Sequence, residues 1–286
     1  MENFTMNNKI PVIYKYLDDR KNINYKLDEN KEIAKISTVH NTMDIYSHVF
    51  KQIKSKIFNY YGEEVNAFYD ALEKYDLSGK EVIIWGLAGC NCDALALYYK
   101  AIKVYVVDYN KPICDHESVE ALSFDEAKNC NIKADFAFSY SSFEHDGLGR
   151  YGDPINPDGD IIAMQEARNK LKDNGILFLG VPLGTDCLYW NAHRVYGSIR
   201  LPFLLKGFQC IDVYSVYPIF NIDEEYPFDL PLGGYIQCLM VCRKIPFDYH
   251  LEPVLLQDEK TNAIDTNSSL ILNNINKAIL KNINAK

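Results

Sequence analysis

A chain of 286 residues is long enough for one large α/β domain with terminal additions, or for two small domains. Its 48% hydrophobic and 24% charged residues are typical of a globular enzyme. The formal net charge of −9 predicts an acidic surface that repels phosphate backbones, so we expect no nucleic-acid partner. A local basic pocket for one anionic small molecule remains compatible with this charge.

The first residues, Met1–Thr5, are polar and acidic, which predicts that no signal peptide begins this sequence. No apolar run approaches the ~18 residues that a membrane-spanning helix needs. These two features favour a cytoplasmic protein without a membrane span. The sequence leaves the oligomeric state open, with a homo-oligomer among the alternatives.

Eight cysteines are present, and most lie in apolar runs, where free thiols pack as small hydrophobic groups. Cys90 and Cys92 are the only closely spaced pair, and no second pair with zinc-ligand spacing accompanies them. We therefore expect neither a disulfide scaffold nor a structural metal.

Residues 1–78 are predicted to form an N-terminal helical extension. From about Thr42, apolar residues recur at intervals of three and four, as one face of an amphipathic helix requires. Gly62 interrupts this pattern, which then resumes to about Tyr75. The extension either packs against the main domain or also covers a substrate pocket, and the pattern leaves both open.

The segment 79–245 alternates strand-like and helix-like stretches. Apolar runs separated by segments of helical length predict buried parallel strands with both faces of the sheet covered, at 81–85, 103–108, 134–139 and 175–181 with a weaker run at 118–124. Two later runs joined only by a loop, 208–216 and 235–243, predict an antiparallel hairpin at the sheet edge. We therefore expect an α/β fold with a doubly wound, mostly parallel sheet. Residues 246–286 are predicted to be a tail or a terminal helix.

The first predicted strand runs into a glycine turn, Gly86-Leu-Ala-Gly89, that precedes a helix rich in Ala and Leu. Glycine permits a sharp turn and a close approach of a ligand, and the helix N-terminus offers free N–H groups. The spacing departs from the Gly-x-Gly-x-x-Gly pattern of dinucleotide sites, which disfavours a pyrophosphate ligand. Taken alone, the turn also fits a plain strand-to-helix connection.

Asp108 closes the second predicted strand, 22 residues after Gly86. In a parallel sheet this places a carboxylate beside the glycine turn, where it can accept hydrogen bonds from both ribose hydroxyls of a nucleoside. A solvated aspartate at a strand end is the alternative for Asp108 alone. The two features together favour a cofactor that contains a nucleoside.

Two loops at the carboxyl ends of later strands carry the candidate catalytic groups. The first follows Ser139, is rich in glycine and proline, and contains Glu144, His145, Arg150 and Tyr151; the second, 184–194, ends in His193 and Arg194. An imidazole titrates near neutral pH, so either histidine is a candidate general base, with a structural role as its alternative. The arginines, including Arg200, are candidates to receive a phosphate or carboxylate, with pairing to nearby acids as their alternative.

The order of these motifs resembles the class I S-adenosylmethionine-dependent methyltransferases, a Rossmann-like fold. More narrowly, Ser-Ser-Phe-Glu-His-Asp-Gly-Leu-Gly-Arg-Tyr-Gly-Asp-Pro, Gly-Val-Pro and Asn-Ala-His-Arg-Val-Tyr-Gly resemble an uncharacterised methyltransferase-like family. Its bacterial members suggest a role in surface-glycan biosynthesis. The resemblance covers roughly residues 78–245, and the glycine turn is generic to the fold, whereas the long loop is specific to the narrower family.

The resemblance implies S-adenosyl-L-methionine as the cofactor and assigns its site residue by residue. The residues implied to bind it are Gly86, Leu87, Gly89 and Asp108, with Ser123 and Phe124 near the adenine and Ser139 beside the methionine portion. The chain departs from the usual Gly-x-Gly-x-Gly loop because Leu87 and Ala88 separate its two glycines. This departure bears on cofactor affinity rather than on the fold.

We expect transfer of a methyl group to an oxygen of a small polar acceptor, such as a sugar, a nucleotide sugar or a phosphorylated intermediate. His145 and His193 are the predicted catalytic bases, and Arg150, Tyr151 and Arg194 the predicted substrate-binding residues. Some O-methyltransferases bind a divalent cation through a Glu-x-x-Glu-His motif. In a metal-assisted variant of this kind Glu144, His145 and His193 would bind the cation, but Ser141 stands where that motif has its first glutamate. The rival functions are a nicotinamide-dependent oxidoreductase and a catalytically silent protein that binds a glycan or a partner.

Overall fold

The computed structural model describes residues 1–15, 39–55, 66–86, 91–214 and 230–245. The predicted tail at 246–286 lies outside these residues. No helix within the described ranges is both long and apolar enough to cross a membrane.

The strands are numbered in chain order. They are β1 (Val12–Lys15), β2 (His40–Asn41), β3 (Glu81–Trp85), β4 (Lys103–Asp108), β5 (Ile113–Cys114), β6 (Val119–Ser123), β7 (Ala134–Tyr140), β8 (Leu171–Gly184), β9 (Cys187–Asn191), β10 (His193–Val195), β11 (Phe208–Tyr214) and β12 (Tyr235–Lys244). The helices are α1 (Met43–Lys54), α2 (Ala67–Lys74), α3 (Cys92–Tyr98), α4 (Phe124–Asn129), α5 (Gly159–Lys170) and α6 (Leu201–Leu204). Short 3-10 helices span Glu2–Thr5 and Phe143–His145.

Seven strands form the central sheet, in the order β11-β12-β8-β7-β3-β4-β6. The five strands from β8 to β6 are parallel, whereas β12 runs antiparallel to β8 and β11 antiparallel to β12. This order confirms the predicted doubly wound α/β fold and its antiparallel edge hairpin. The carboxyl ends of β3, β4, β6 and β7 therefore lie along one edge, where ligands bind in such folds.

Both faces of β3 are buried because its apolar residues alternate between two cores. Val82 and Ile84 pack with residues of α1, α2 and α3 on one face, and Ile83 and Trp85 pack with residues of α4, α5 and α6 on the other. Burial of a side chain of this kind stabilises the fold by ~1.5–3 kcal/mol. The sheet is thus a rigid platform for the loops at its edge.

The N-terminal residues differ from the predicted helical extension. The amphipathic pattern does correspond to α1 and α2, but β1 adds a strand in parallel to β9, with β10 antiparallel on the other side of β9. A small apolar core holds this sheet in place, formed by Phe4, Ile10, Leu148 and Leu188. The first residues of the chain therefore pack with the segment 184–194, which was predicted to be a loop and instead contains β9 and the first two residues of β10.

Candidate active site

The glycine turn follows β3 directly, and the structure shows why its first residue is a glycine. Gly86 has φ +78°, and its N–H donates to the Val107 carbonyl of the neighbouring strand at 2.8 Å. A Cβ atom there would overlap the hydroxyl of Ser142, so the loop after β7 lies directly against the turn. Leu87 and Gly89, also predicted to bind the cofactor, lie outside the described residues.

Asp108 ends β4 next to this turn, as predicted, since the residue before it accepts the hydrogen bond from Gly86. Its side chain is half-buried, and one carboxylate oxygen accepts from the Asn110 N–H at 3.0 Å. Asp108 lies opposite Ser123 of the adjacent strand. The structure therefore brings together the two features that indicated a nucleoside site.

Ser123 and Phe124 lie at the next strand end, where the sequence placed the adenine. The Ser123 hydroxyl accepts from the Glu126 N–H at 3.2 Å and caps α4, which gives this side chain a structural role of its own. The Phe124 ring stacks on Tyr109, with 5.0 Å between centroids and 9° between planes. Tyr109 was missed from the sequence, although an aromatic residue directly after Asp108 was a usable signal.

Ser139 lies near the end of β7, opposite Trp85 of β3. Its hydroxyl is buried and has no hydrogen-bond partner among the described residues. A buried hydroxyl without a partner costs free energy, and this one lies on the strand next to β3, which leads into the glycine turn. Its predicted contact with the methionine portion stays a prediction.

The 3-10 helix after β7 carries two buried titratable groups side by side. One carboxylate oxygen of Glu144 accepts from the Ser141 hydroxyl at 3.0 Å and lies 3.7 Å from Nε2 of His145. Burial raises the pKa of Glu144 to about 7. The Nδ1–H of His145 donates to the Ala192 carbonyl at 2.6 Å, which leaves Nε2 with the lone pair. Burial and the charge of Arg150 lower the pKa of His145 to about 3.

His193 approaches from β10, with its ring centroid 6.2 Å from that of His145. The rings of Tyr189 and Tyr235 flank it at 4.8 and 5.5 Å between centroids. Its Nε2 atom is buried and has no hydrogen-bond partner among the described residues. Burial and the charges of Arg150 and Lys15 lower the pKa of His193 to about 4. Both imidazoles are therefore unprotonated at neutral pH, although pKa values this low make them weak bases.

Arg150 and Tyr151 lie beside His145 and His193, and these four side chains are called the histidine cluster. The Arg150 guanidinium donates to the Ala192 carbonyl at 3.2 Å and lies 4.9 Å from the centroid of the Tyr151 ring. Tyr151 in turn contacts His145 edge-on, with 5.3 Å between centroids. Lys15 of β1 adds a second positive charge near His193. Lys15 was not identified as a site residue because strand β1 was not predicted.

Arg194, predicted to bind substrate, is instead buried beneath the loop that follows β7 and carries His145, here called the histidine loop. Its guanidinium donates to the carbonyls of Glu144 at 3.4 Å, Asp146 at 2.7 Å and Pro157 at 3.2 Å. With only 2% of its surface exposed, the side chain holds the loop backbone and offers no face to a small molecule. A planar guanidinium with several donors suits this task because it satisfies several carbonyls at once.

Arg200 is buried in the same way. It forms two short contacts with the Asp160 carboxylate, at 2.6 and 2.9 Å, and Tyr196 donates to that carboxylate at 2.9 Å. The predicted alternative of pairing with a nearby acid therefore describes Arg200. Among the described residues, no group of three His, Cys, Asp or Glu side chains is placed to hold a metal ion.

The family described as "Caenorhabditis protein of unknown function, DUF268" matches residues 81–231, just over half of the chain. No curated protein matches the sequence. Similar solved structures include 1,6-didemethyltoxoflavin-N1-methyltransferase from Burkholderia thailandensis with bound S-adenosylhomocysteine, which is 15% identical, with a TM-score of 0.46, over 78% of this chain and 99% of that one.

TehB from Haemophilus influenzae is 16% identical, with a TM-score of 0.43, over 68% of this chain and 67% of that one. An S-adenosylmethionine dependent methyltransferase from Mesorhizobium loti is 14% identical, with a TM-score of 0.38, over 62% of this chain and 98% of that one.

Proposed function

The chain belongs to the DUF268 family, whose description names no activity, and we propose that it is an S-adenosylmethionine-dependent methyltransferase acting on an oxygen of a small polar acceptor. The proposal rests on the close placement of the glycine turn, Asp108 and the histidine loop. Gly86 directly follows β3, and its N–H donates to the carbonyl of Val107, the residue before Asp108 at the end of β4. Ser142 packs the histidine loop against the same turn. A nucleoside site and a cluster of candidate bases thus meet at one edge of the sheet.

The described residues fit the cofactor at three points. Asp108 would accept hydrogen bonds from the ribose, and Tyr109 and Phe124 offer aromatic surface for the adenine. Ser139 offers a buried hydroxyl to the remainder of the molecule. Leu87 and Gly89 complete the proposed cofactor site. When bound, the cofactor supplies an activated methyl group, so the protein must chiefly orient the acceptor.

The histidine cluster is proposed to bind the acceptor and remove its proton. His145 and His193 are unprotonated at neutral pH, so either can accept a proton from a hydroxyl at Nε2. Arg150 and Lys15 place positive charge there in an otherwise acidic protein, which favours an anionic acceptor such as a phosphorylated sugar or a nucleotide sugar. Tyr151 completes the proposed binding site of the acceptor.

A role in surface-polysaccharide biosynthesis and a cytoplasmic location belong to the same proposal. The first supporting feature is the long histidine loop, because it is the part of the sequence that resembles the narrower glycan-linked family. The second is the positive charge of Arg150 and Lys15 beside His193, which suits the phosphates of sugar intermediates. A screen of nucleotide sugars and phosphorylated metabolites for transfer of a labelled methyl group would identify the acceptor.

Calorimetric titration tests the cofactor assignment against the oxidoreductase alternative. We expect the wild-type protein to bind S-adenosylhomocysteine and not NAD. Asp108→Ala should weaken that binding by about 1.5–3 kcal/mol, which is the scale of hydrogen bonds to a charged group. Binding of NAD in place of S-adenosylhomocysteine, or unchanged affinity in a folded Asp108→Ala protein, would contradict the assignment. A silent protein would bind the cofactor and show no transfer in the acceptor screen.

A further inference from the structure

The proposed function leaves Glu144, a buried carboxylate of the histidine loop, without a task. Glu144 lies in the 3-10 helix after β7, with 1% of its surface exposed. Its Oε1 atom accepts from the Ser141 hydroxyl at 3.0 Å, whereas Oε2 is buried and has no hydrogen-bond partner among the described residues. A buried carboxylate oxygen without a donor costs free energy, and a catalytic role is one reason for a protein to keep it.

Contacts connect this carboxylate to both halves of the proposed site. Ser141, which donates to Glu144, is followed in the chain by Ser142, whose hydroxyl lies against Gly86 of the glycine turn. The Oε1 atom of Glu144 is also 3.7 Å from Nε2 of His145. A cofactor at the turn and an acceptor at the histidine cluster would therefore meet beside Glu144.

Glu144 and His145 face each other as two proton acceptors. Nδ1 of His145 donates to the Ala192 carbonyl, so its Nε2 atom carries a lone pair, as does Oε1 of Glu144. A hydroxyl oxygen can bind both atoms, because their separation of 3.7 Å is less than two hydrogen bonds of ~2.8 Å placed end to end. Burial raises the pKa of Glu144 to about 7 and lowers that of His145 to about 3, so Glu144 is the member of the pair that holds a proton near neutral pH.

The remaining charged and titratable groups around Glu144 are two arginines, an aspartate and a tyrosine, namely Arg150, Arg194, Asp146 and Tyr196. Arginine stays charged at every pH of interest. Burial raises the pKa of both Asp146 and Tyr196. Asp146 is therefore a second buried carboxyl group of the same loop, and an experiment must separate it from Glu144.

We propose that Glu144 is a catalytic residue, which forms with His145 a pair that takes the proton of the acceptor hydroxyl and holds it on the Glu144 carboxylate. In this step the acceptor oxygen gains the methyl carbon, sulfur keeps the electron pair of the bond that breaks, and the carboxylate becomes a neutral acid. A positive and a negative charge both disappear, which a buried site of low dielectric favours. The inference rests on the proposed function and deepens it, because His145 alone is too weak a base to hold the proton at neutral pH.

Two cofactor analogues test the position of Glu144 without knowledge of the acceptor. S-adenosylhomocysteine lacks the transferred methyl group, whereas sinefungin carries an ammonium group in its place and has the same nucleoside and amino-acid ends. An opposite charge within ~4–6 Å lowers the pKa of a carboxyl group by about 1–3 units. We therefore expect the wild-type affinity for sinefungin, relative to that for S-adenosylhomocysteine, to rise about tenfold between pH 5.5 and pH 8 as Glu144 ionises. Calorimetry measures both affinities.

Glu144→Gln keeps the shape of the side chain and can still accept from Ser141, so we expect this variant to fold and to lose the pH dependence. Asp146→Asn is the matched control, because it replaces the second buried carboxyl group of the loop in the same way and should leave the pH dependence in place. A relative affinity that is independent of pH in the wild type, or any pattern other than its loss in Glu144→Gln alone, would overturn the inference and leave the proposed function in place.

If Glu144→Gln fails to fold, Ser141→Ala decides. The Ser141 hydroxyl lowers the pKa of Glu144, so its removal should move the midpoint of the pH dependence to a higher pH, and an unchanged midpoint would overturn the inference. A wild-type protein that binds neither analogue would overturn both the inference and the proposed function.

Discussion

Glu144 allows a quantitative test of the buried site without knowledge of its substrate. Burial raises its pKa from the ordinary 4.5 to about 7, so the folded protein binds this proton more firmly than the unfolded chain. Between those pH values the unfolded chain has lost a proton that the folded protein keeps, and stability falls as pH rises. At 1.36 kcal/mol for each pKa unit, ionisation of Glu144 costs about 3 kcal/mol once the pH is well above 7.

Glu144→Gln replaces the protonated carboxyl with a neutral group of the same shape, so this cost should disappear. We expect the free energy of unfolding of the variant, relative to wild type, to rise by about 2–3 kcal/mol between pH 5 and pH 8.5. Urea unfolding followed by circular dichroism at the two pH values measures the difference. Contributions from His145 and His193 are common to both proteins and cancel.

Glu126→Gln is the control. Glu126 is exposed, and its pKa is lowered to about 2 by hydrogen bonds from Ser123 and Lys111, so it is ionised at both pH values. Its replacement should reduce stability by the same amount at pH 5 and pH 8.5. The reasoning about Glu144 fails if the Glu144→Gln difference stays constant with pH, or if that variant is less stable than wild type at pH 8.5.

Two further outcomes follow from the site. His145→Ala should lower turnover roughly 10²–10⁴-fold while the affinity for S-adenosylhomocysteine stays within a few-fold, and His193→Ala should have a similar or milder effect. Near-normal turnover in both variants, measured with the acceptor saturating and chemistry rate-limiting, would exclude a histidine base. Gly86→Ala should destabilise the protein by about 1–2 kcal/mol because of its positive φ, and by more because of the overlap with Ser142. A melting temperature equal to that of wild type would show that the turn tolerates a side chain.

The central sheet could be predicted from the sequence because its strands are short continuous apolar runs. The runs at 81–85 and 103–108 match β3 and β4, and the turn residues that follow them mark the sheet edge. Asp108 could therefore be placed beside Gly86 from chain order alone, since parallel strands align their carboxyl ends. The antiparallel hairpin of β11 and β12 followed from the same kind of pattern.

The N-terminal part of the site could not be predicted, because it depends on pairings between distant residues. Strand β1 has only four residues and gains its partner from β9, far along the chain. The burial of Arg194 likewise depends on the carbonyl groups of another loop, and a sequence does not show which arginine meets solvent.

The pairing of β1 with β9 has a consequence for synthesis of the chain. The strands β3, β4, β6 and β7, whose carboxyl ends form the proposed cofactor site, lie together in one stretch of the chain, so they can pair while later residues are still being added. Lys15 reaches His193 only after β9 and β10 exist, and at ~5–20 residues per second this delay is on the order of ten seconds or longer. During that interval Phe4 and Ile10 lack the partners that bury them in the finished protein. The nascent chain thus leaves Phe4 and Ile10 exposed until Leu148 and Leu188 are in place to bury them.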